Sequence, residues 1–521
     1  MDSFIQVHQP AVMGALSGFD RLRFRGTLRL LANASGLGKL LAFLGILLKD
    51  FGAFVEDVGN QLAQATQERA KECGGKVVYI SKPSANKEQI ALEIAQRRQV
   101  SSGLVCILSC VELCNSFYLY RNKETRMLEV RPARRKCLHY YHYYLHETLG
   151  LMHVRVQSWL PLNLWVCCNG RERLALQMKR AGIGYTQRDN CFTAIDDIPR
   201  AQQLMQEQLG TDWPTLLNKL GLEANPIVER VFAERPLDYY WSVDESEWAT
   251  DVMFNRPEDL ARVYPRLVRH GVENLSSVEV MRYLGKKPRQ DGTVPDNFRG
   301  EIVTDLRPRP GGLRLKHRLD ENWIKMYDKQ QSVLRVETVI NNPYRFRVNR
   351  PAEGDETGKP SVRYLRKGVA DLHRRAEVSQ RANDRYLQAL AAVEHKQPLG
   401  ELVGRVCQRT KLKGRPVRAL NVFAEEDLKL LESIARGEFA INGLSNARLR
   451  QAIHGDPPPD PQERKRQSGK VTRQIRMLRA HRLLKKAPKS HRYHLTARGR
   501  VTITAVLAAR NASTDALTKA A

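Results

Sequence analysis

Between His317 and Asn342 the chain reads HRLDENWIKMYDKQQSVLRVETVINN. Lys325, Tyr327, Asp328 and Lys329 fall in one strand-like run, and Leu334, Arg335 and Glu337 in the next. These residue types suit phosphoryl transfer. A tyrosine hydroxyl can attack a phosphodiester, a divalent metal held by carboxylates or histidine polarises the phosphoryl oxygens, and a lysine offsets the developing charge. Tyr327 is the candidate nucleophile, with Lys325 and Lys329 beside it, and Asp251, Glu337, Asp328 and His317 are the candidate ligands for Mg2+ or Mn2+. The same residues admit a plainer reading, in which Asp328 and Arg335 form a structural ion pair between neighbouring strands. Period two sets Asp328 with Ile324 and Met326, away from Tyr327.

Lys325, Tyr327, Asp328 and Lys329, followed by Leu334, Arg335 and Glu337, resemble the K-x-Y-D-K strand and the L-R-x-E strand of rolling-circle replication initiators of phage and plasmid type. The resemblance covers residues 317–342 and implies a mobile-element enzyme that nicks or joins DNA. The chain departs from those families in one respect: His317 sits in LKHRL without a second histidine to form their His-hydrophobic-His metal motif.

The elements that must carry these residues read as a succession of strands and helices. In residues 1–215, strands are expected at Gly18–Leu31, Lys76–Ser81 and around Cys106–Cys114, with a hairpin over Ser116–Pro132 turning near Asn122. Two further strands break at Pro161, a long amphipathic helical stretch runs Leu37–Lys71, and shorter helices cover Asn86–Arg98 and Glu172–Gly182. In residues 230–350, a strand ending at Phe254 precedes two helices and then four strands, an α+β core able to hold the candidate site. Residues 351–420 read as a loop and a helical connector. The expected fold class is thus α+β and multidomain, with two mixed α/β domains before a C-terminal module at 421–512.

That module carries the charge. The whole chain has a formal net charge of +29. From Glu401 to Ala521 there are 26 basic against 10 acidic residues, a surplus of 16, and from Arg464 to Thr514 there is no Asp or Glu at all. A field of this sign concentrates polyphosphates and makes binding steeply salt-dependent. Helix periodicity sets Val471, Ile475 and Leu478 inward and Arg473 and Arg476 outward, with Lys470 and Arg479 on the flanks. A basic hairpin follows, turning at Ala487–Ser490 and carrying Lys485, Lys486, Lys489 and Arg492, and Thr496 caps a last helix. This arrangement is similar to a MarR-like winged helix-turn-helix. Arg21, Arg23 and Arg25 alternate with Leu22 and Phe24, which puts three guanidinium groups on one sheet face where they can track a phosphate backbone or simply meet solvent.

Other motifs carry less. SGLGKLL lacks the glycine and the Ser or Thr of a phosphate loop. Cys106, Cys110 and Cys114 stand at four-residue steps but in an apolar, strand-like setting that favours core packing over a metal. LHYYHYYLHETLGLMH (Leu138–His153) reads as an amphipathic helix with its rings in a core. Alternatively it is a base-stacking surface, or a metal pair formed by His142 and His146. Nine cysteines without framework spacing, a start without a signal-peptide pattern and no apolar run of spanning length point to a cytoplasmic protein with no membrane partner. The expected function is DNA binding with nicking or joining, and the alternative is a non-enzymatic winged-helix regulator or architectural protein. Structured RNA fits the charge equally well.

Overall fold

A computed structural model describes all residues except 235, 274, 276, 285, 287–293, 295–297, 299, 310–311, 356, 392–398, 436–438, 440–443, 487–490 and 514–521. Its centre is one mixed sheet of eleven strands. In chain order these are β1 (Val12–Leu28), β2 (Val78–Tyr79), β3 (Gly103–Arg121), β4 (Leu128–His146), β5 (Gly150–Gln157), β6 (Leu164–Asn169), β9 (Tyr239–Phe254), β10 (Ile302–Arg309), β11 (Gly312–Leu319), β12 (Asn322–Lys329) and β13 (Val333–Ile340). A separate ribbon, β7 (Tyr185–Arg188) and β8 (Cys191–Ile195), stands apart from it.

The strand order β10-β11-β12-β13-β9-β1-β6-β5-β4-β3-β2 has an internal symmetry of topology. Each half begins with a long strand (β1 or β9), continues through helices, and then lays down four antiparallel strands, the last of which returns to pair with the first. The two first strands, β1 and β9, pair antiparallel at the middle and join the halves. The two α/β segments expected as separate domains therefore share one continuous sheet.

One face of the sheet is covered by helices along its length. In the first half, Phe24, Val154, Val166 and Tyr144 pack under helices Ala34–Phe43, Phe51–Glu72 and Trp213–Ala224. In the second half, Val252, Ile324, Met326 and Val336 pack under Pro257–Glu273, Ser277–Tyr283 and Leu372–Leu390. The last of these helices lies in the range expected to be a connector, yet it is part of the core. Arg375 is fully buried and donates to the carbonyls of Val243 and Ile340, while Asn383 donates to the carbonyls of Trp248 and Val336. These charged and amide side chains point into the sheet and bond mostly to backbone oxygens that it leaves available, although Arg375 Nε is buried without a hydrogen-bond partner among the described residues.

The opposite face is covered only in part. Helix Lys87–Arg98 lies over β3 and β4, and helices Gly170–Arg180 and Ile198–Glu207 lie with β7 and β8 over the Leu16 end of β1. Between and beyond them the face is open.

Several expected boundaries shift. The stretch Leu37–Lys71 is two helices parted at Gly45, whose φ of +68° favours glycine. The histidine–tyrosine run is the end of β4, not a helix, and His142 and His146 are therefore not one helical turn apart. His142 faces the helix layer opposite Ile107 and Val154 and is fully buried, whereas Tyr141 and Tyr143 face the other way. A strand buried on both faces loses its period-two signal, which is why the run did not read as β. Cys106 and Cys110 are buried in β3 as core residues.

The C-terminal region forms helices Glu425–Ala435, Asn446–His454, Pro461–Ala480 and Ala497–Asn511, with a ribbon of Leu484–Lys486 and Tyr493–Leu495. Val471, Ile475 and Leu478 are buried in its core, as periodicity required. Ser445 and Thr496 cap their helices through side-chain oxygens. The third helix starts at Pro461, because Asp460 accepts from the amides of Gln462 and Glu463 and Pro461 needs no donor in the first turn. The tip of the ribbon, residues 487–490, lies outside the described residues, and so does Gly437 after the first of these helices.

Candidate metal centre and nucleic-acid interface

The open face is built by alternation. On β12, Ile324 and Met326 point to the helices, so Trp323, Lys325 and Tyr327 point to the open side. Register sets Lys325 opposite Glu337 and Tyr327 opposite Arg335 on β13, and β13 in turn sets Glu337 opposite Ala249 and Arg335 opposite Asp251 on β9. Lys325 Nζ lies 2.5 Å from Glu337 Oε1 and 3.5 Å from Glu247 Oε1, and the Tyr327 hydroxyl donates to Glu337 Oε2 at 2.7 Å.

The third carboxylate arrives through an irregularity. Phe19 pairs with Trp248 and Leu22 with Ser246, so Asp20 and Arg21 together stand opposite the single residue Glu247. This β-bulge breaks the alternation of β1 and turns Asp20 to the same side as Arg21. One carboxylate oxygen from each of Asp20, Glu247 and Glu337 then falls within 4.8 Å of the others, and all three residues are buried.

Their surroundings hold the cluster rigidly. Asp20 accepts from Asn190 Nδ2 at 2.8 Å and from Arg335 Nη1 at 2.9 Å. Arg21 Nη2 reaches Glu245 and Glu247, each at 3.0 Å. Burial alone would raise the Glu337 carboxyl, but the Lys325 ammonium holds it below the usual range. Glu247 behaves oppositely: burial and then the Glu337 charge push it up to about 7 against the pull of Lys325 and Arg21. Burial and the Glu337 carboxylate likewise push the Tyr327 phenol well above its usual range. The donors of the cluster are all hard oxygens, and that set fits Mg2+ or Mn2+.

The pH consequence has a definite sign. In the folded chain Glu247 keeps its proton between its ordinary value of 4.5 and about 7, where the unfolded chain has lost it, so folding stability falls as pH rises through that window. A divalent cation favours the ionised carboxylate. Its stabilisation is therefore expected to grow across the same window. Thermal unfolding with Mn2+ against chelator should show a larger rise in Tm at about pH 8 than at about pH 5.5, and Glu247→Gln should remove the difference. A Mn2+ shift that is equal at the two pH values would count against these ligands.

Of the residues expected in the site, the structure brings Lys325, Tyr327 and Glu337 together and leaves four elsewhere. Asp251 is buried between Arg335 (Nε to Oδ1 2.6 Å) and Arg171 (Nη2 to Oδ2 3.0 Å), which hold its carboxyl below the usual range despite burial. His317 faces the helix layer, where its ring nitrogens meet Thr304 Oγ1 at 2.9 Å and the Tyr386 hydroxyl at 3.1 Å. Asp328 also points away from the cluster, and burial pushes its carboxyl up to about 6. It does not pair with Arg335, because register sets Asp328 opposite Leu334. Lys329 shares the open side but ends the strand opposite Val333. Asp20 and Glu247 were not among the expected ligands.

Beside the cluster, the open face carries cations and rings. Arg21, Arg23 and Arg25 do share one side, as alternation required, with Arg23 paired to Asp244 at 3.5 Å and Arg25 near the Trp165 ring. Arg155 stacks on Trp165 at 3.8 Å. A cavity of about 710 Å3 runs from Asp20 and Glu247 past Arg23 and Cys167 to Tyr141 and Tyr143.

In the C-terminal unit Arg473 is exposed, and Arg476 and Arg479 line a cavity of about 870 Å3 together with Arg415 and Thr472. Arg479 lies 5.6 Å from the Tyr493 ring centre and Lys470 pairs with Glu426 at 2.8 Å. Lys485, Lys486 and Arg492 are exposed on the ribbon, and Lys489 lies outside the described residues. Among the described residues no helix is long and apolar enough to cross a membrane. Set against protein-family models, curated proteins and solved structures, the chain matches none.

Proposed function

We propose that the protein binds nucleic acid and cleaves its phosphodiester backbone at the Asp20–Glu247–Glu337 cluster with Mg2+ or Mn2+. The observation that carries this reading is the meeting of three buried carboxylates from three strands at the end of a cavity bearing Arg21 and Arg23. The metal supplies a Lewis acid for the phosphoryl oxygens and a more acidic water. Glu247, whose carboxylate lines the cavity, is suited to take a proton from the attacking water. The water oxygen bonds to phosphorus, one ester P–O bond breaks, and the departing oxygen gains a proton to leave a hydroxyl end and a phosphate end. Lys325 offsets charge on the phosphoryl group and Tyr327 orients Glu337.

A second reading makes Tyr327 the attacking group. Its hydroxyl touches Glu337 at 2.7 Å, so a base for its proton is at hand. This is the chemistry of an initiator or transposase-like mobile-element enzyme. Incubation of labelled single-stranded and supercoiled DNA with Mn2+, wild type against Tyr327→Phe, decides between the two. Cleavage that survives in Tyr327→Phe without a covalent adduct supports water attack. An adduct that is lost with the hydroxyl supports the tyrosine. If wild type cleaves neither substrate, the non-enzymatic alternative of a winged-helix regulator or architectural protein stands instead.

We assign the C-terminal unit to the winged-helix type, with Pro461–Ala480 as the recognition helix. Leu444 makes a single antiparallel β-bridge to Tyr493 of the ribbon, a feature that supports the assignment. Arg473→Ala with Arg476→Ala is expected to weaken DNA binding and to reduce the slope of log K against log salt by about 2. Unchanged salt dependence in a titration would move the contact surface elsewhere.

A further inference from the structure

Cations and rings continue on both sides of the acid cluster. On the β12 side, register sets Arg314, Lys316 and Arg318 of β11 opposite Tyr327, Lys325 and Trp323, and Lys316 Nζ stands 4.0 Å from the Trp323 ring centre. Burial and the neighbouring cations Lys325, Arg314 and Arg318 push the Lys316 ammonium below its usual range. Arg314 Nε is buried without a hydrogen-bond partner among the described residues. This flank has positive charge in excess of its local carboxylates. On the β6 side, Arg155 of β5 backs the Trp165 ring. From β11 to β5 the strand order makes six steps, roughly 29 Å at ~4.8 Å per strand.

We propose that this face binds a single-stranded polynucleotide running across the strands, with the acid cluster at the middle of its path, so that an internal phosphodiester meets the carboxylates. The position of cleavage rests on the catalytic reading above, whereas the path itself does not. Rings backed by cations offer stacking platforms to unpaired bases, whose faces are hidden in a duplex. Guanidinium and ammonium groups between them meet phosphates. Platforms on both flanks hold the strand on either side of the reacting bond and require no chain end.

The test uses the full chain carrying Arg473→Ala and Arg476→Ala, to silence the C-terminal contribution, with Ca2+ in place of Mn2+ during binding. Fluorescence anisotropy compares a labelled DNA strand, the RNA of the same sequence and the DNA duplex. At least one single strand is expected to bind more tightly than the duplex. Lys316→Ala with Trp323→Ala, and separately Arg155→Ala with Trp165→Ala, are each expected to weaken it by roughly 10- to 100-fold. Milder companions, Lys316→Gln and Arg23→Gln, guard against a folding defect and should each weaken binding several-fold with an unchanged Tm. A duplex bound at least as well as either strand, or one flank whose substitutions leave binding unaltered, overturns the path. With Mn2+, circular single-stranded DNA should be cut, and cleavage confined to linear strands overturns the internal placement. Loss of the Mn2+ effect on Tm together with retained, flank-sensitive strand binding would sink the catalytic reading and support the path.

Discussion

Glu337→Gln is expected to lower Mn2+-dependent cleavage by about 10³-fold, equivalent to about 4 kcal/mol of lost transition-state stabilisation. Glu337 is the residue on which the cluster converges: Lys325 and Tyr327 both bond to it, and its oxygen lies within 4.8 Å of those of Asp20 and Glu247. The amide keeps an oxygen for the Tyr327 hydroxyl and a similar volume, so the sheet should survive. What is lost is one negative charge of three. Glu247 then faces one buried neighbouring carboxylate, Asp20, instead of two, and its own pKa should fall towards the usual range. The substitution therefore has a signature beyond lost activity, because the Mn2+ shift in Tm should shrink and lose its pH dependence. Single-turnover cleavage within tenfold of wild type would place the reaction centre elsewhere.

Arg335→Leu is expected to be the most destabilising of the substitutions considered, by about 3–5 kcal/mol, or roughly 10 °C in Tm. The guanidinium is fully buried and forked: Nε and Nη2 hold Asp251 at 2.6 and 2.9 Å, and Nη1 holds Asp20 at 2.9 Å. Removing it leaves two buried carboxylates with one fewer cation between them. Arg171 still reaches Asp251, but Asp20 keeps only amide donors. Arg335→Lys should recover part of the loss, since an ammonium restores charge but cannot make the forked contact with both acids. Calorimetric unfolding showing less than about 1 kcal/mol of change for Arg335→Leu would mean that this network carries little of the fold.

The candidate site was half legible. The strands Asn322–Lys329 and Val333–Ile340 follow directly from their alternation, and so does the side shared by Lys325 and Tyr327. Asp328 and His317 were drawn into the expected ligand set by residue type, although strand parity points both at the helix layer. Asp20 was missed for a sharper reason. Strict alternation from Arg21, Arg23 and Arg25 places it with Leu22 and Phe24 on the covered side, and only the bulge opposite Glu247 turns it round. Nothing in GFDRLRFRG marks such a bulge, because it is set by pairing with a strand more than two hundred residues away.

The sequence by itself determined the local elements, the inward faces of the C-terminal helices and the sign and location of the charge. These depend on periodicity, capping and composition, which act over a few residues. Only the tertiary structure decided that the two α/β segments make one sheet, that the histidine–tyrosine run is a strand, and that Asp20, Glu247 and Glu337 meet. Each of those outcomes is fixed by which strand pairs with which and in what register, and register between distant strands is selected by the burial of whole faces at once.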